Sequence, residues 1–309
     1  MKIVFMGTPQ AAVPSLEKII ADGHEIVAVW TQPDRPSGRG NKLTAPPVKE
    51  CALKYNLPTF QPNKIKTEET LQLFQSAKAD IAVVVAYGRI LPESFLRSFP
   101  KGCLNVHFSL LPAYRGAAPV NWAIVNGETK TGVTTMKMDV GLDTGDILLQ
   151  KETAIGSDEN SVELMQRLSF IGADLLSDTL KHLDRLASIP QNHEIATFAP
   201  IMRKENGLIN WNLSATQISN QVRGFQPFPT SYSFYQGKKL TIWKAKVSKL
   251  ERDEIPVGDI LHAKGDLLLV SCGENSMLQI EELQLEGKNR MKTRDFLNGV
   301  KMQMGEHLG

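Results

Sequence analysis

The chain has 309 residues, 42% of them hydrophobic and 22% charged. That balance supports a buried core in two domains and excludes a disordered tail, a collagen or a disulfide-stapled miniprotein. The 35 Lys and Arg against 33 Asp and Glu leave a formal charge of +2, too even for coating nucleic acid by bulk charge, so any such contact must be local.

The opening MKIVFMGTPQ is too poor in apolar residues for a signal segment, and no run approaches the ~18 residues of a membrane span, so no membrane contact is expected. Ile3 to Met6 reads as a strand closed by Gly7, Gln10 to Asp22 as a helix, and Glu25 to Trp30 as a second strand. A crossover of that length implies a parallel pair. TQPDRPSGRGNKLTAPP follows, crowded with Pro, Gly and basic residues and without an apolar period, and is expected to be a long surface loop before a helix near Val48 to Tyr55. Asp80 to Ala86, Cys103 to His107 and Gly132 to Met138 supply further strands. Together they predict an α/β fold with a doubly wound, Rossmann-like parallel sheet.

Ser161 to Leu186 has helical apolar spacing and closes a first domain over 1–188, with 189–207 as the expected linker. Beyond it the texture changes to short strands: Tyr232 to Tyr235, Leu240 to Val247, Asp259 to His262, Leu267 to Cys272 and Met277 to Leu285. Five strands in about a hundred residues predict a small C-terminal β-barrel over 208–309, OB-like as the leading form.

Several chemistries lack their usual signatures. Gly7-Thr8-Pro9 is not a G-x-G-x-x-G turn, no phosphate-binding G-x-x-x-x-G-K-[ST] loop occurs, and the six histidines do not fall at metal-ligand spacing. Cys51, Cys103 and Cys272 are odd in number and far apart, which suggests neither disulfides nor a thiolate metal site and fits a reducing cytoplasm.

LNVHFSLLPAYRGAAP, residues 104–119, is different. Asn105 and His107 are two apart on a strand and share a face, at the strand end where ligands bind in doubly wound sheets. A bare Asn/His pair is more often a turn residue beside a core histidine, and the acids of GVTTMKMDVGLDTGDI (Asp139, Asp143, Asp146) would singly be turn carboxylates. As a set, Asn105, His107 and Asp143 can catalyse acyl transfer without a covalent intermediate: an amide to hold an oxyanion, an imidazole to donate to it, and a carboxylate to tune the imidazole. No serine or cysteine sits in a nucleophile elbow.

The motifs N-x-H-x-S-L-L-P (Asn105 to Pro112) and G-V-T-x-M-x-M-x-x-G-x-D-x-G-D-I (Gly132 to Ile147) resemble those of the folate-dependent formyltransferase family. FMGTP, TQPDRPSGRG, VVVAYG, YRGAAP, WNLSA and FQPFP extend the resemblance over nearly the whole chain, toward the branch whose acceptor is methionyl initiator tRNA. One departure is Phe108, where that family usually carries a small residue; its side chain is expected to point away from the Asn105/His107 face.

The resemblance implies 10-formyltetrahydrofolate as donor, tetrahydrofolate as product, the methionyl α-amine as acceptor and no metal. It implies catalytic roles for Asn105, His107 and Asp143 and a folate pocket at Ser109, Leu110, Leu111 and Pro112. Arg35, Arg39 and Lys42 of the basic loop are candidate tRNA contacts, an ordinary solvated loop being the alternative. Lys238, Lys239, Lys244, Lys246, Lys249, Arg252, Lys288, Arg290, Lys292 and Arg294 could extend that surface, scattered solvated lysines being the alternative. A cytoplasmic monomer is expected. The competing readings are a formyltransferase for a small amine, a formyltetrahydrofolate hydrolase, and a non-catalytic folate- or RNA-binding module.

Overall fold

The structure is a computed structural model that describes residues 1–37, 42–248 and 256–309. Its backbone packs as two units: 1–119, 130–154 and 165–199 form the first, and 120–129, 155–164 and 200–309 the second. The expected linker is therefore divided. Residues up to Ala199 belong to the first unit, because Phe198–Ala199 pairs in parallel with Arg115–Gly116.

In chain order the first unit begins β1 (Lys2–Gly7), α1 (Val13–Ala21), β2 (Glu25–Trp30), β3 (Arg35–Ser37) and β4 (Lys42–Thr44). It continues with α2 (Pro47–Lys54), β5 (Thr59–Phe60), α3 (Glu68–Gln75), β6 (Ile81–Val85), α4 (Glu93–Leu96), β7 (Cys103–His107) and β8 (Arg115–Gly116). After α5 (Pro119–Val125), which from Val120 on belongs to the second unit, come β9 (Lys130–Lys137), β10 (Ile147–Ala154), α6 (Ser161–His182), whose first turn also belongs to the second unit, and β11 (Phe198–Ala199).

The main sheet has the order β10-β9-β7-β6-β1-β2-β5. Its five strands from β7 to β5 are parallel, while β9 runs antiparallel to β7 and to β10. The expected parallel sheet is thus mixed at one side, and β10 had no sequence expectation because ILLQKETA is apolar only at its start. The crowded loop also contains a hairpin, β3 with β4, whose three-residue strands are too short to show a period.

The central strands are buried on both faces, which is why IAVVV reads as an unbroken apolar run. One core layer packs Trp30, Phe74, Phe95 and Phe99, with Phe74 and Phe95 ring centroids 4.6 Å apart. On β7 the pleat sends Asn105 and His107 one way and Val106 the other. Phe108 is buried with Val106 against α6, where a methyl group added at Gly172 would lie 3.1 Å from Val106 and 3.4 Å from Phe108.

The second unit carries α7 (Ala215–Gly224), β12 (Ser231–Tyr235), β13 (Lys238–Val247), β14 (Ile260–Lys264), β15 (Leu267–Ser271), β16 (Met277–Leu285), β17 (Met291–Lys292) and α8 (Thr293–Gly299). All five expected strands are present, in one antiparallel sheet of order β12-β13-β16-β15-β14 with β17 on β16. Trp211 anchors its core and donates from Nε1 to Ser233 at 3.1 Å. Ser214 caps α7 in a capping box with Gln217, which explains the local form of WNLSA and contributes about 1 kcal/mol. Phe225 meets Trp122 edge-on, and the Asn121 amide donates to the Gly224 carbonyl at 2.7 Å, so FQPFP docks on residues of α5 within the same unit. Among the described residues no helix is long and apolar enough to cross a membrane.

Candidate active site

The chain leaves β1 toward β2 and β5 on one side and returns to β6 and β7 on the other, so the carboxyl edge around β1 is a topological switch point. Loops from three strands are tied together there. The Thr8 hydroxyl and the Gln32 amide both donate to the Tyr87 carbonyl, and Arg89 Nε donates to Gln32 Oε1. At the same edge β7 ends in His107; the loop between β9 and β10, which leaves β9 beside the amino end of β7, reaches back with Asp143.

These groups converge. His107 Nε2 lies 2.9 Å from the Tyr114 carbonyl, which can only accept, so that nitrogen carries a proton. Its Nδ1 faces the Asp143 carboxylate, 3.7 Å from Oδ2. The same Oδ2 accepts the Gly116 amide at 2.8 Å. Gly116 is required there: its φ is +116°, and a Cβ would lie 2.8 Å from the Ala199 carbonyl oxygen. Asn105, half-buried beside His107, makes no side-chain hydrogen bond among the described residues, leaving its amide for a ligand.

The Asp143 loop is braced from within and from behind. Asp139 Oδ1 accepts from the Gly141 amide and the Thr144 hydroxyl, and the Asp146 carbonyl accepts from the Lys137 amide. Gly145 packs so closely on the Lys137 carbonyl that a Cβ would overlap it. Asp143 has φ +52°, a left-handed conformation that costs on the order of 1 kcal/mol even for Asp. Gln191 reaches this loop from the segment expected to be a linker, donating from Nε2 to the Asp143 and Gly145 carbonyls at 2.9 and 2.7 Å. Its Oε1 accepts from Arg115 Nε and Nη2. Neither residue was expected in the site, and a Gln between Pro190 and Asn192 carries no periodic signal that could have found it.

The expected folate turn is mostly committed to its own architecture. Ser109 is buried and gives its hydroxyl to the Ala113 carbonyl, while its own carbonyl accepts from Thr134. Leu111 is buried with Met136 and Ile147, and only Leu110 and Pro112 keep partly exposed faces.

Two adjoining cavities open along the same edge, after β5 and β6. One of about 340 Å³ has apolar walls from Ile65, Leu71, Ile90, Leu91 and Phe95. The second, about 440 Å³, adds Lys64 and Arg89. Neither is lined by Asn105, His107 or Asp143.

The candidate tRNA contacts separate. Arg35 is exposed on β3, Lys42 begins β4, and Arg39 lies outside the described residues, as do Lys249 and Arg252. Lys49 is held by Asp34 at 2.7 Å. In the second unit Lys244 and Lys246 share Glu281, Arg290 pairs with Glu282 and stacks on Trp243, and Arg294 pairs with Asp266.

The description "Formyl transferase" matches residues 1–180, and "Formyl transferase, C-terminal domain" matches residues 201–301. The methionyl-tRNA formyltransferase of Alkaliphilus oremlandii is 50% identical over 311 aligned positions, covering 100% of both chains. That of Geobacter sulfurreducens is 46% identical, covering 100% of this chain and 97% of its own. The fold is shared with an N-formyltransferase from Helicobacter canadensis solved with folinic acid and dTDP-3-aminofucose, at 18% identity and a TM-score of 0.67 over 91% of this chain and 98% of that one. With both family descriptions matched in order and full-length relatives at about half identity, the chain belongs to the formyl transferase family.

Proposed function

We infer that this protein transfers a formyl group from 10-formyltetrahydrofolate to the α-amine of methionyl initiator tRNA. The observation that carries the chemistry is the convergence of Asn105, His107 and Asp143 at one strand end, with His107 between a carbonyl and a carboxylate. The acceptor is supported by relatives named for that reaction along the whole chain.

The α-amine has an ordinary pKa of about 7.7 to 8, so a useful fraction is neutral near pH 7 and no strong base is needed. Its nitrogen attacks the formyl carbon and the carbonyl π pair moves to oxygen. Asn105 Nδ2 and the Nε2–H of His107, released from the Tyr114 carbonyl as substrate binds, meet that oxyanion, each donor contributing roughly 3 to 4 kcal/mol in sites of this kind. Asp143 orients the imidazole and takes up the amine proton. Collapse of the intermediate expels the tetrahydrofolate nitrogen, which gains a proton.

The apolar cavity at Ile65, Ile90, Leu91 and Phe95 is the place for the flat folate, because the β6 loop forming it emerges beside the strand that carries Asn105. Ser109, Leu111 and their hydrogen bonds shape the neighbouring turn, and Leu110 and Pro112 offer it an apolar face. Arg35, Arg39 and Lys42 meet the acceptor end of the tRNA.

The test is transfer of labelled formyl from 10-formyltetrahydrofolate to methionyl-tRNA and, in parallel, to dTDP-amino sugars. Labelled formylmethionine on tRNA is the expected product. Transfer confined to the amino sugar would replace this reading with the small-amine one, and release of free formate with neither acceptor used would replace it with the hydrolase.

A further inference from the structure

We propose that Gln191 is a positioning residue for Asp143, oriented by the buried guanidinium of Arg115. The inference rests on the functional reading above and assigns the segment after α6 a part in the reaction.

The chemistry of the partners fixes the Gln191 amide. Arg115 can only donate, and its Nε and Nη2 lie 3.1 and 2.7 Å from one end of that amide, which must therefore be Oε1. The Asp143 and Gly145 carbonyls can only accept, so the other end must be Nε2. One carbonyl belongs to Asp143 itself, where the backbone is left-handed, and the other to Gly145 two residues on, so the amide holds the chain where it leaves the strained residue. Gln191 and Arg115 are 6% and 3% exposed, which keeps water from competing for these bonds.

Arg115 forms no ion pair among the described residues; its other side-chain partner is His193 Nδ1 at 3.0 Å. A buried cation left without a carboxylate is costly as a purely structural device. Its neutral acceptors leave Asp143 as a carboxylate committed to His107 and the Gly116 amide. The neighbouring backbone belongs to the same brace: Arg115 and Gly116 pair with Phe198 and Ala199 on β11, and the Tyr114 amide donates to the Thr197 hydroxyl at 2.9 Å. One segment thus secures both acceptors that face His107, the Tyr114 carbonyl and the Asp143 carboxylate.

Gln191→Glu is the discriminating change. It keeps an acceptor, now charged, for Arg115 and removes both donors to the loop. The expected result is kcat lowered about tenfold or more, KM for both substrates within twofold, a cooperative thermal transition retained because the new carboxylate pairs with Arg115, and a displaced pH–rate profile. In an Asp143→Ala background the same change should lower kcat no further, because the residue through which it acts is gone. Arg115→Lys approaches from the other end: it leaves the Gln191 donors but removes the fork that orients them, and its loss of kcat should likewise vanish beside Asp143→Ala. Parental kcat and pH profile in folded Gln191→Glu would overturn the proposal, as would losses that persist in full in the Asp143→Ala background. A parent enzyme inactive on methionyl-tRNA would instead overturn the functional reading, so the two failures are distinct.

Discussion

The sheet of the second unit and the carboxyl edge of the first follow opposite rules. Along β12 and the first half of β13 burial alternates with the pleat, apolar residues of all five strands fill the unit's core, and cations lie beside acids on neighbouring strands. Around His107, among the described residues, the Asn105 side chain has no hydrogen-bond partner and buried Arg115 has no carboxylate, while Tyr114 and Asp143 take left-handed backbone. Local preference and global fold agree in one region and conflict in the other. Such conflicts persist only where the surroundings enforce them, and reacting groups are held in places of that kind.

The largest effects should come from breaking the second pattern. His107→Ala and Asn105→Ala should each lower kcat about 10²- to 10³-fold with melting temperatures near the parent's, as for other oxyanion donors. Steady-state assays on the folded variants check this, and near-parental kcat would remove either residue from the reaction. Asp143→Asn should lower kcat about 10²-fold and change the shape of the pH–rate profile, since an amide keeps the position but not the charge.

Arg39→Ala should reduce kcat/KM for methionyl-tRNA about 10- to 100-fold, equivalent to one desolvated charged hydrogen bond, and flatten its salt dependence. Equal salt slopes in parent and variant would show that Arg39 does not contact tRNA. Lys244→Ala or Lys246→Ala sharpens the contrast from the other side. Both amines are already engaged by Glu281, and exposed pairs of this kind contribute about 0 to 1 kcal/mol, so kcat/KM should stay within about twofold.

The smallest effect concerns Asp34, whose carboxyl is held below the usual carboxylate range by hydrogen bonds from Lys49 and Gln61. Its stabilising contribution is present above the ordinary carboxylate pKa of about 4 and fades as pH falls through the lowered folded value. Acid unfolding followed by circular dichroism should therefore show a slightly shallower pH dependence in Asp34→Asn.

The same contrast explains what the sequence made legible. Buried parallel strands such as IAVVV and alternating strands such as SYSFY report their surroundings through composition, and Cys103 to His107 and Met277 to Leu285 fall where periodicity places them. Asn105, His107 and Asp143 stand in dense motifs. Gln191 does not, because its function depends on a tertiary approach across 48 positions to Asp143. The antiparallel course of β9 was hidden for a related reason: a buried strand has the same composition whichever way it runs. The turn Ser109 to Pro112 could be located but not its hydroxyl's partner, since a serine four residues from a carbonyl can bond to it or to a ligand.

Phe108 and Gly172 form a matched pair of volumes across the seam where the chain leaves β7 against α6: a full aromatic ring just past the strand faces a residue with no side chain on the helix. Shortening the ring alone leaves a void, and a methyl added on the helix alone crowds Val106, Phe108 and Val133. The two changes together move bulk from the strand's end to the helix and partly offset one another. Substitutions at this seam should therefore be tolerated in combination better than singly, and the seam sets how closely the His107 strand approaches the helix behind it.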